Sequence, residues 1–489
     1  MKIVLNKVLT PISGDWGVDD LEGNGVNVIR TANFRNDGKI DYNNIVKRLF
    51  QKKTIDENGR ERYVLDSEKI AEKKLLNNDI IIEKSGGGPE TPVGRVVYFE
   101  NPGKEVYMAN NFTQVLRANP DKVIPKYLFY YLRYLYLKGV VYKYQNQTTG
   151  LANLKLEKYL KEEILIPDFD KQNIVVTQLN IIQHNIDLRK SSIEILSNLI
   201  HSVYFKMFGD PVNNQKGFPR KKLSQVTPKD KIITYGIVQA GPHIDDGIPY
   251  IRTGDIKNGK IVSKNLLRTT PEIAKKHDRS KCIEGDIIVS IRATVGQSAV
   301  IPKDLDGANL TQGTARISPN TTVINPNYLF VTLQSEGFQF LINKYVKGST
   351  FKEITLEKLR NIEIPVPKDL NLQNRFSQIY ESIQDVESKV KQSLEILQQL
   401  FQVILQNAFK PDVGIDEEPI FKDLIKKFTV QDLKGNKQRL QYLINLFEQQ
   451  NFDEFKDFTE TRKILFELMD EEEIIQTFGT DNKVKLQVK

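Results

Sequence analysis

Two successive copies of one series of motifs constrain this 489-residue chain more than any other feature. Ile29-Arg30-Thr31-Ala32-Asn33-Phe34 reappears as Ile251-Arg252-Thr253-Gly254-Asp255-Ile256, and each string runs into an Asp/Asn-Gly turn, at Asp37-Gly38 and Asn258-Gly259. A strand leading into a hairpin is the simplest structure for both. Asn78-Asp79-Ile80-Ile81-Ile82 then answers to Gly285-Asp286-Ile287-Ile288-Val289, β-branched runs of the kind that fill buried strands. Pro125-Lys126-Tyr127-Leu128-Phe129 matches Pro326-Asn327-Tyr328-Leu329-Phe330, with proline where a helix's first turn accepts it. The copies close alike, with Leu156-Glu157-Lys158 against Leu356-Glu357-Lys358. Extended, proline-stopped exits follow at Glu163 to Pro167 and at Glu363 to Pro367.

After each exit comes a segment with heptad spacing. Val175, Leu179, Ile182, Ile186, Arg189, Ile193, Leu196, Ile200, Val203 and Met207 alternate steps of four and three; so do Phe376, Tyr380, Ile383, Glu387, Val390, Leu394, Leu397, Phe401, Ile404 and Ala408. Helices of about 37 residues would be about 55 Å long and could not hide such seams alone, so they are expected to pair, antiparallel if the halves are related by a pseudo-two-fold axis. Arg189 and Glu387 interrupt the stripes. They either meet as a polar layer that fixes the register or snorkel outward from flanking positions.

Composition bounds the function. No apolar run approaches a membrane span, and Met1 to Asn6 breaks off too early for a signal peptide, so a cytoplasmic protein is expected. One cysteine, Cys282, excludes internal disulfides and cysteine-cluster zinc sites. The four histidines, His184, His201, His243 and His277, have no metal-ligand spacing. The net charge is +8, and the segment after Pro411 holds twelve Lys/Arg against seventeen Asp/Glu, which leaves +13 on the residues before it. A basic body suits a polyanion through counterion release, although an ordinary basic protein would look the same.

The series of motifs resembles the specificity (S) subunit of type I restriction-modification systems over residues 1 to about 410. The resemblance is carried by Ile248-Pro249-Tyr250-Ile251-Arg252-Thr253-Gly254-Asp255-Ile256, by Gly285-Asp286-Ile287-Ile288 with Arg292 and Gly296 after it, by Asn309 to Gln312, and by the exit into a helix. It implies an α+β fold with two target recognition domains of mixed or antiparallel sheet plus helices, alternating with two long antiparallel coiled-coil helices in a pseudo-two-fold arrangement. The expected parts are recognition domains at 1–168 and 211–368, a central helix at 169–210, a distal helix at 369–410, and an acidic helical extension at 411–489. It further implies that each recognition domain reads one half of a bipartite, asymmetric double-stranded DNA target, while the helices set the spacing and dock two modification (M) subunits. This chain would bind no cofactor. S-adenosylmethionine and adenine methylation would belong to the M subunits, and ATP, Mg and cleavage to restriction (R) subunits. The first copy departs from the second in reading Asn33-Phe34 for Asp255-Ile256. It also carries about fifteen extra residues between Ile40 and Asn78, and its start, Met1 to Asp15, departs from Gly217 to Asp230, which leaves the first strand open.

Base edges are read by Arg on guanine, Asn or Gln on adenine, and Asp or Glu on cytosine, while Ser and Thr bind phosphate. Such residues fall at strand ends and loops of both copies: Arg30, Thr31 and Asn33 against Arg252, Thr253 and Asp255; Ser85 and Arg95 against Arg292, Thr294 and Gln297; and the amide pairs Asn110 with Gln114 and Asn309 with Gln312. Each alone also suits a turn or a cap. Catalytic motifs fare worse. Asn325-Pro326-Asn327-Tyr328 looks like the loop by which amino-methyltransferases hold the target nitrogen, yet its counterpart Ile124-Pro125-Lys126-Tyr127 reads as a helix start. Gly86-Gly87-Gly88 lacks the lysine of a phosphate-cradling loop, and Glu471-Glu472-Glu473 reads as a solvated helix face. From Phe421 on, apolar residues at helical spacing, continued by Ile464, Leu465, Leu468, Ile474 and Ile475, suggest a small helical appendage. Two rivals to a DNA reader remain: a coiled-coil scaffold without sequence reading, and an enzyme fused to a specificity module.

Overall fold

A computed structural model describes residues 2–86, 92–148, 151–348 and 352–409, with Leu440, 467–469, 474–478 and 484–488. Two compact units divide the chain, one of Met1–Asp187 with Glu395–Lys489 and one of Leu188–Leu394. The two long helices, Phe169–Phe208 and Leu370–Phe409, run 40 residues each, so each unit combines a globular domain with part of both.

In the first unit the central sheet places Leu9–Ser13, Thr113–Ala118, Ile80–Glu83 and Val96–Tyr98 side by side, all antiparallel. The second unit repeats that order with Thr234–Tyr235, Thr314–Ile317, Ile287–Ser290 and Ser298–Val300. A parallel pair also recurs. Tyr107–Ala109 lies beside Val26–Ile29, as Asn309–Leu310 lies beside Ile248–Ile251. The departing start of the first copy costs no strand: Lys2–Val4 pairs with Glu163–Leu165 just as Arg220–Lys222 pairs with Glu363–Pro365. The extra residues of the first copy form a hairpin of Gln51–Ile55 with Glu61–Leu65; the short helix after it, Ser67–Lys73, has its counterpart in Pro271–Lys276 of the second copy.

The sequence signals behave as their chemistry requires. Asn258 (φ 49°) and Gly259 (φ 77°) turn the hairpin between Ile256–Lys257 and Lys260–Ile261, the left-handed pair that a two-residue turn needs. Asn78 (φ 77°) and Gly285 (φ 85°) open the buried strands at equivalent corners. Each corner is tied by the following aspartate: Asp79 accepts from Leu76 N at 2.8 Å and Asp286 from Ile283 N at 3.0 Å. Pro125 and Pro326 begin helices Pro125–Leu137 and Pro326–Gln334. Asn325, part of the methyltransferase-like string, caps the second of these by accepting from Asn327 N (2.9 Å) and Tyr328 N (3.3 Å).

These proline-started helices join globular domain to rods. In the second unit Phe208 meets Tyr328 and Phe376 at ring-centroid distances of 4.6 and 5.4 Å, and Tyr204 meets Phe376 at 5.8 Å. In the first unit Phe409 meets Tyr127 at 5.2 Å and Tyr131 at 5.1 Å. Gln172 and Gln373 occupy equivalent buried places, each accepting from the backbone N–H just before a proline, of Ile124 or Asn325, at 2.8 Å.

Within the second unit the rods are antiparallel, since Tyr204 faces Phe376 while Arg189 Nε donates to Ser393 Oγ at 3.2 Å. That register corrects the pairing expected between Arg189 and Glu387. Arg189 falls opposite 393, six residues and about 9 Å of helix beyond 387. The buried Glu387 is held instead by Lys391 and Gln384 of its own helix.

Past Pro411 most of the expected helical appendage lies outside the described residues. Where it is described, the helical reading of Ile474 and Ile475 is corrected. Ile474–Phe478 pairs antiparallel with Val484–Val488, a hairpin suited to Ile-Ile-Gln-Thr-Phe and Val-Lys-Leu-Gln-Val, in which β-branched residues recur.

Gly14 and Gly236 both leave the first strand of the central sheet where another backbone passes. A Cβ at either would lie 1.8 Å from Asn110 O or 2.0 Å from Leu310 O. Gly236→Ala is therefore expected to destabilise the second unit by about 3 kcal/mol. Gly254→Ala, which meets nothing within 4 Å, should stay within about 0.5 kcal/mol of the parent. Chemical denaturation followed by circular dichroism checks both.

Candidate nucleic-acid interface

The Arg-Thr-x-Asn/Asp strings form one-turn 3-10 helices, Thr31–Asn33 and Thr253–Asp255, immediately after the parallel pair. Asn33 Oδ1 accepts from Arg30 N at 2.9 Å and Asp255 Oδ2 from Arg252 N at 2.8 Å, so both acceptors are buried caps rather than free base readers. The change from amide to carboxylate alters the arginine. Arg252 closes back on Asp255 through Nε (3.0 Å) and Nη2 (2.9 Å), which raises its pKa chiefly through that hydrogen bonding. Asn33 cannot hold a guanidinium in this way, and among the described residues the Arg30 guanidinium reaches only Asn44 O, at 3.4 Å. Arg30 is thus the more readily recruited by a ligand.

The loop after the buried strand differs in the same manner. Glu83 N donates to Arg95 O at 2.9 Å and Ser290 N to Gln297 O at 2.8 Å, which makes Glu83 equivalent to Ser290 and Arg95 to Gln297. In the first unit Arg95 is clamped by Glu83 at 3.0 and 2.9 Å and bonds Phe34 O and Thr31 O at 3.3 and 3.4 Å. It ties the loop to the 3-10 turn from inside. In the second unit Gln297 is exposed, and Ser290 Oγ is buried with no partner among the described residues.

The late amides do not correspond. Asn110 N donates to Ile29 O at 3.0 Å and Thr311 N to Ile251 O at 3.2 Å, so Asn110 is the counterpart of Thr311. Asn309 is buried, taking Ser280 Oγ at 2.8 Å and giving to Ala274 O at 3.1 Å, and Gln114 is buried inside its strand. Asn110 is buried too, its Oδ1 unpaired among the described residues. These three support the scaffold. Ser85, Thr31, Thr253 and Gln312 are half-buried, and Thr294 and Gln297 are exposed. The Arg292 side chain is 49% exposed, with Glu353 3.5 Å away. Gly87 and Gly88 lie outside the described residues.

Sequence reasoning missed Trp16. It is 49% exposed, meets Phe112 edge-on at 5.5 Å and has the Arg48 guanidinium 5.2 Å from its ring centroid. An aromatic face beside an arginine is a platform on which bases stack. Being the only tryptophan was the available signal. Asp15 beside it has its pKa lowered: burial pushes it up, but the Gly17 N–H and the ammonium groups of Lys69 and Lys73 outweigh that. Cys282 is buried, which pushes its thiol up and leaves it unreactive. Among the described residues no group of three His, Cys, Asp or Glu could hold a metal, and no helix is long and apolar enough to cross a membrane.

The family model for the type I restriction modification DNA specificity domain matches residues 21–197 and again 226–400. The chain is similar to the type I restriction enzyme EcoBI specificity subunit of Escherichia coli, at 25% identity over 61% of this chain and 68% of that one. It is also similar to the putative type I restriction enzyme MjaX specificity subunit of Methanocaldococcus jannaschii, at 25% identity over 68% and 79%. Its fold resembles that of a chain solved in a study of complex assembly and conformational transition of the type I R-M system. That match has a TM-score of 0.50 and 17% identity, over 84% of this chain and 98% of that one.

Glu83→Ala leaves Arg95 half-buried without its carboxylate and is expected to cost about 3 kcal/mol. Installing the second unit's residues together, Glu83→Ser with Arg95→Gln, should recover at least half of that loss. A double-mutant cycle by denaturant unfolding measures the coupling.

Proposed function

Because the chain belongs to the family of type I restriction-modification DNA specificity proteins, we propose that it reads two unlike half-sites in double-stranded DNA, one with each unit. It is a non-catalytic DNA-specificity subunit of a restriction-modification enzyme, whose catalytic activities sit in separate modification and restriction subunits. The observation that carries the two-site reading is a repeated backbone whose buried polar groups differ, Asn33 for Asp255 and Glu83 for Ser290, and so leave different groups toward the surface at equivalent positions: Arg30 held loosely where Arg252 is clamped, and Arg95 clamped where Gln297 is exposed. An unchanged scaffold with changed donors and acceptors presents different hydrogen-bond patterns to base edges, and hence selects different bases.

In the second unit the readers are Arg292, Thr294 and Gln297, whose exposure lets them reach a groove without unfolding anything. In the first they are Arg30 and Ser85, with Trp16 and Arg48, the latter paired with Asp19 at 2.7 Å, at the edge of the same surface. The buried Asn33, Asp255, Asn110, Gln114 and Asn309 hold the surfaces in shape. Arg95 and Arg252 sit between these roles, each turned toward its carboxylate.

The long helices also carry apolar side chains that neither seam covers. Ile174 and Ile181, seven apart on the part of the first helix that belongs to the first unit, are 47 and 56% exposed. On the second, Ile379 and Val386 are likewise seven apart and 39 and 47% exposed. Apolar stripes of this kind seat helices of partner subunits. One stripe per rod supports a complex with two M subunits, with S-adenosylmethionine and adenine methylation on those subunits and ATP and Mg on R subunits.

Arg292→Ala with Gln297→Ala is expected to weaken binding of the cognate duplex by about 1–3 kcal/mol and to relax base preference in one half-site only. Mapping methylated adenines in cells that carry the variant and its M subunit reads this out. Loss of preference in both halves would defeat the one-unit, one-half-site assignment. Ile174→Glu with Ile181→Glu should leave the chain folded and abolish its co-elution with M subunits in size-exclusion chromatography.

A further inference from the structure

A cleft of about 440 Å³ opens in the first unit, walled by Ile40, Tyr98, Phe129 and Tyr130 with Lys126, Arg133 and Gln183. Gly38 makes this shape possible: at φ 84° its backbone lies against Phe129, where a Cβ would fall 2.7 Å from the ring. Most charges lining the cleft already have partners. Lys39 pairs with Asp187, Lys126 with Glu100 at 3.2 Å, and Asp37 with Arg35 at 3.1 Å. Arg133 is the exception. It is buried, its guanidinium lies 4.9 Å from the ring centroid of Phe401, and the carboxylate whose charge it feels, Asp37 on the same cleft, is the one paired with Arg35, so that burial still lowers its pKa. Burial of an arginine without an anion of its own is unfavourable, and a ring with a shared carboxylate nearby offsets only part of the cost.

The second unit shows that the fold does not require this arrangement. At the places of Lys126, Tyr130 and Arg133 it has Asn327, Val331 and Gln334. Asn327 is tied to Ser377 at 2.8 Å and Glu381 at 2.9 Å, and Gln334 fills the space over Gly259, its amide nitrogen 2.5 Å from where a Cβ there would stand. Uncharged groups therefore serve the scaffold well, and the cation of the first unit answers to something else.

The geometry points to a ligand site in the first unit for a small anion bearing an aromatic or heteroaromatic ring, of the size of a nucleoside monophosphate, with Arg133 taking the anionic group. A guanidinium presents a planar fork that matches carboxylate or phosphate oxygens. The ring belongs against Ile40, Tyr98, Phe129 and Tyr130, and a cleft of this volume lies within the range that encloses such molecules. A free nucleotide and an aromatic carboxylate share this chemistry.

Titration calorimetry on the purified full chain, with adenosine monophosphate, benzoate and inorganic phosphate as separate probes, tests the site. Saturable binding of either ring-bearing anion is expected, with a Kd of about 0.1 mM for the nucleotide, and phosphate alone should bind about tenfold more weakly. Arg133→Gln, which installs the second unit's residue, should weaken the ring-bearing anion about 10- to 100-fold. Gln183→Glu places a competing carboxylate in the cleft and should also weaken binding. It decides the matter should Arg133→Gln fail to fold. Equal affinity for phosphate and the ring-bearing anions, affinity unchanged in the variants, or no saturable binding at ~10 mM would overturn the assignment.

Discussion

Aromatic packing at the start of one short helix holds each unit together. A proline sets the first turn, the residue three before Tyr127 or Tyr328 offers its N–H to a buried glutamine of a rod, and the tyrosine enters the cluster around Phe409 or Phe208. Each ring pair contributes about 1 kcal/mol beyond its buried area, and several share the same rings. The sheet rests on this helix, the 3-10 turn and the loop after the buried strand rest on the sheet, and so the surface proposed to read DNA is fixed to the rods through rigid parts. A reader whose surface moved freely on its support would lose the register on which base discrimination depends.

Much of this was legible in the sequence because it is written by local rules: prolines at helix starts, Asn-Gly at a tight turn, β-branched runs in buried strands, heptads in the rods. The duplication doubled the weight of each signal. What escaped was register. Arg189 and Glu387 sit on the right stripes, yet which residues face each other depends on where Tyr204 and Phe376 lock the rods, and that is decided by packing at a distance from either charge. The same limit applied to Asn110 and Asn309, whose resemblance as amides hid a displacement in their strands that only the backbone pairing reveals.

Among the candidate DNA contacts, residue type was a good guide to location and a poor one to exposure. Asn33 and Asp255 are where a reader's loops should be, but a short polar side chain beside a turn satisfies the backbone before it can face solvent, and Asn309, in a strand, is taken up by Ser280 and Ala274. Arg292, Thr294 and Gln297 escape this because their loop leaves the sheet after a strand whose own groups are already paired.

The duplicated backbone acts as a natural substitution experiment on buried polar groups. Glu83 with Arg95 and Ser290 with Gln297 occupy the same pair of positions, one as an ion pair and the other as neutral groups, with the backbone hydrogen bond between them preserved at 2.9 and 2.8 Å. A carboxylate alone at either site, without its guanidinium, would be a buried uncompensated charge, so the two positions must change together. That coupling bears on how such a protein acquires a new target. Exposed loop residues can vary singly at little cost in stability, whereas an arginine that reaches from the interior toward the surface brings a second, hidden position with it. Changes of preference that pass through Arg95 or Arg252 therefore require paired substitutions, and those through Arg292 or Gln297 do not.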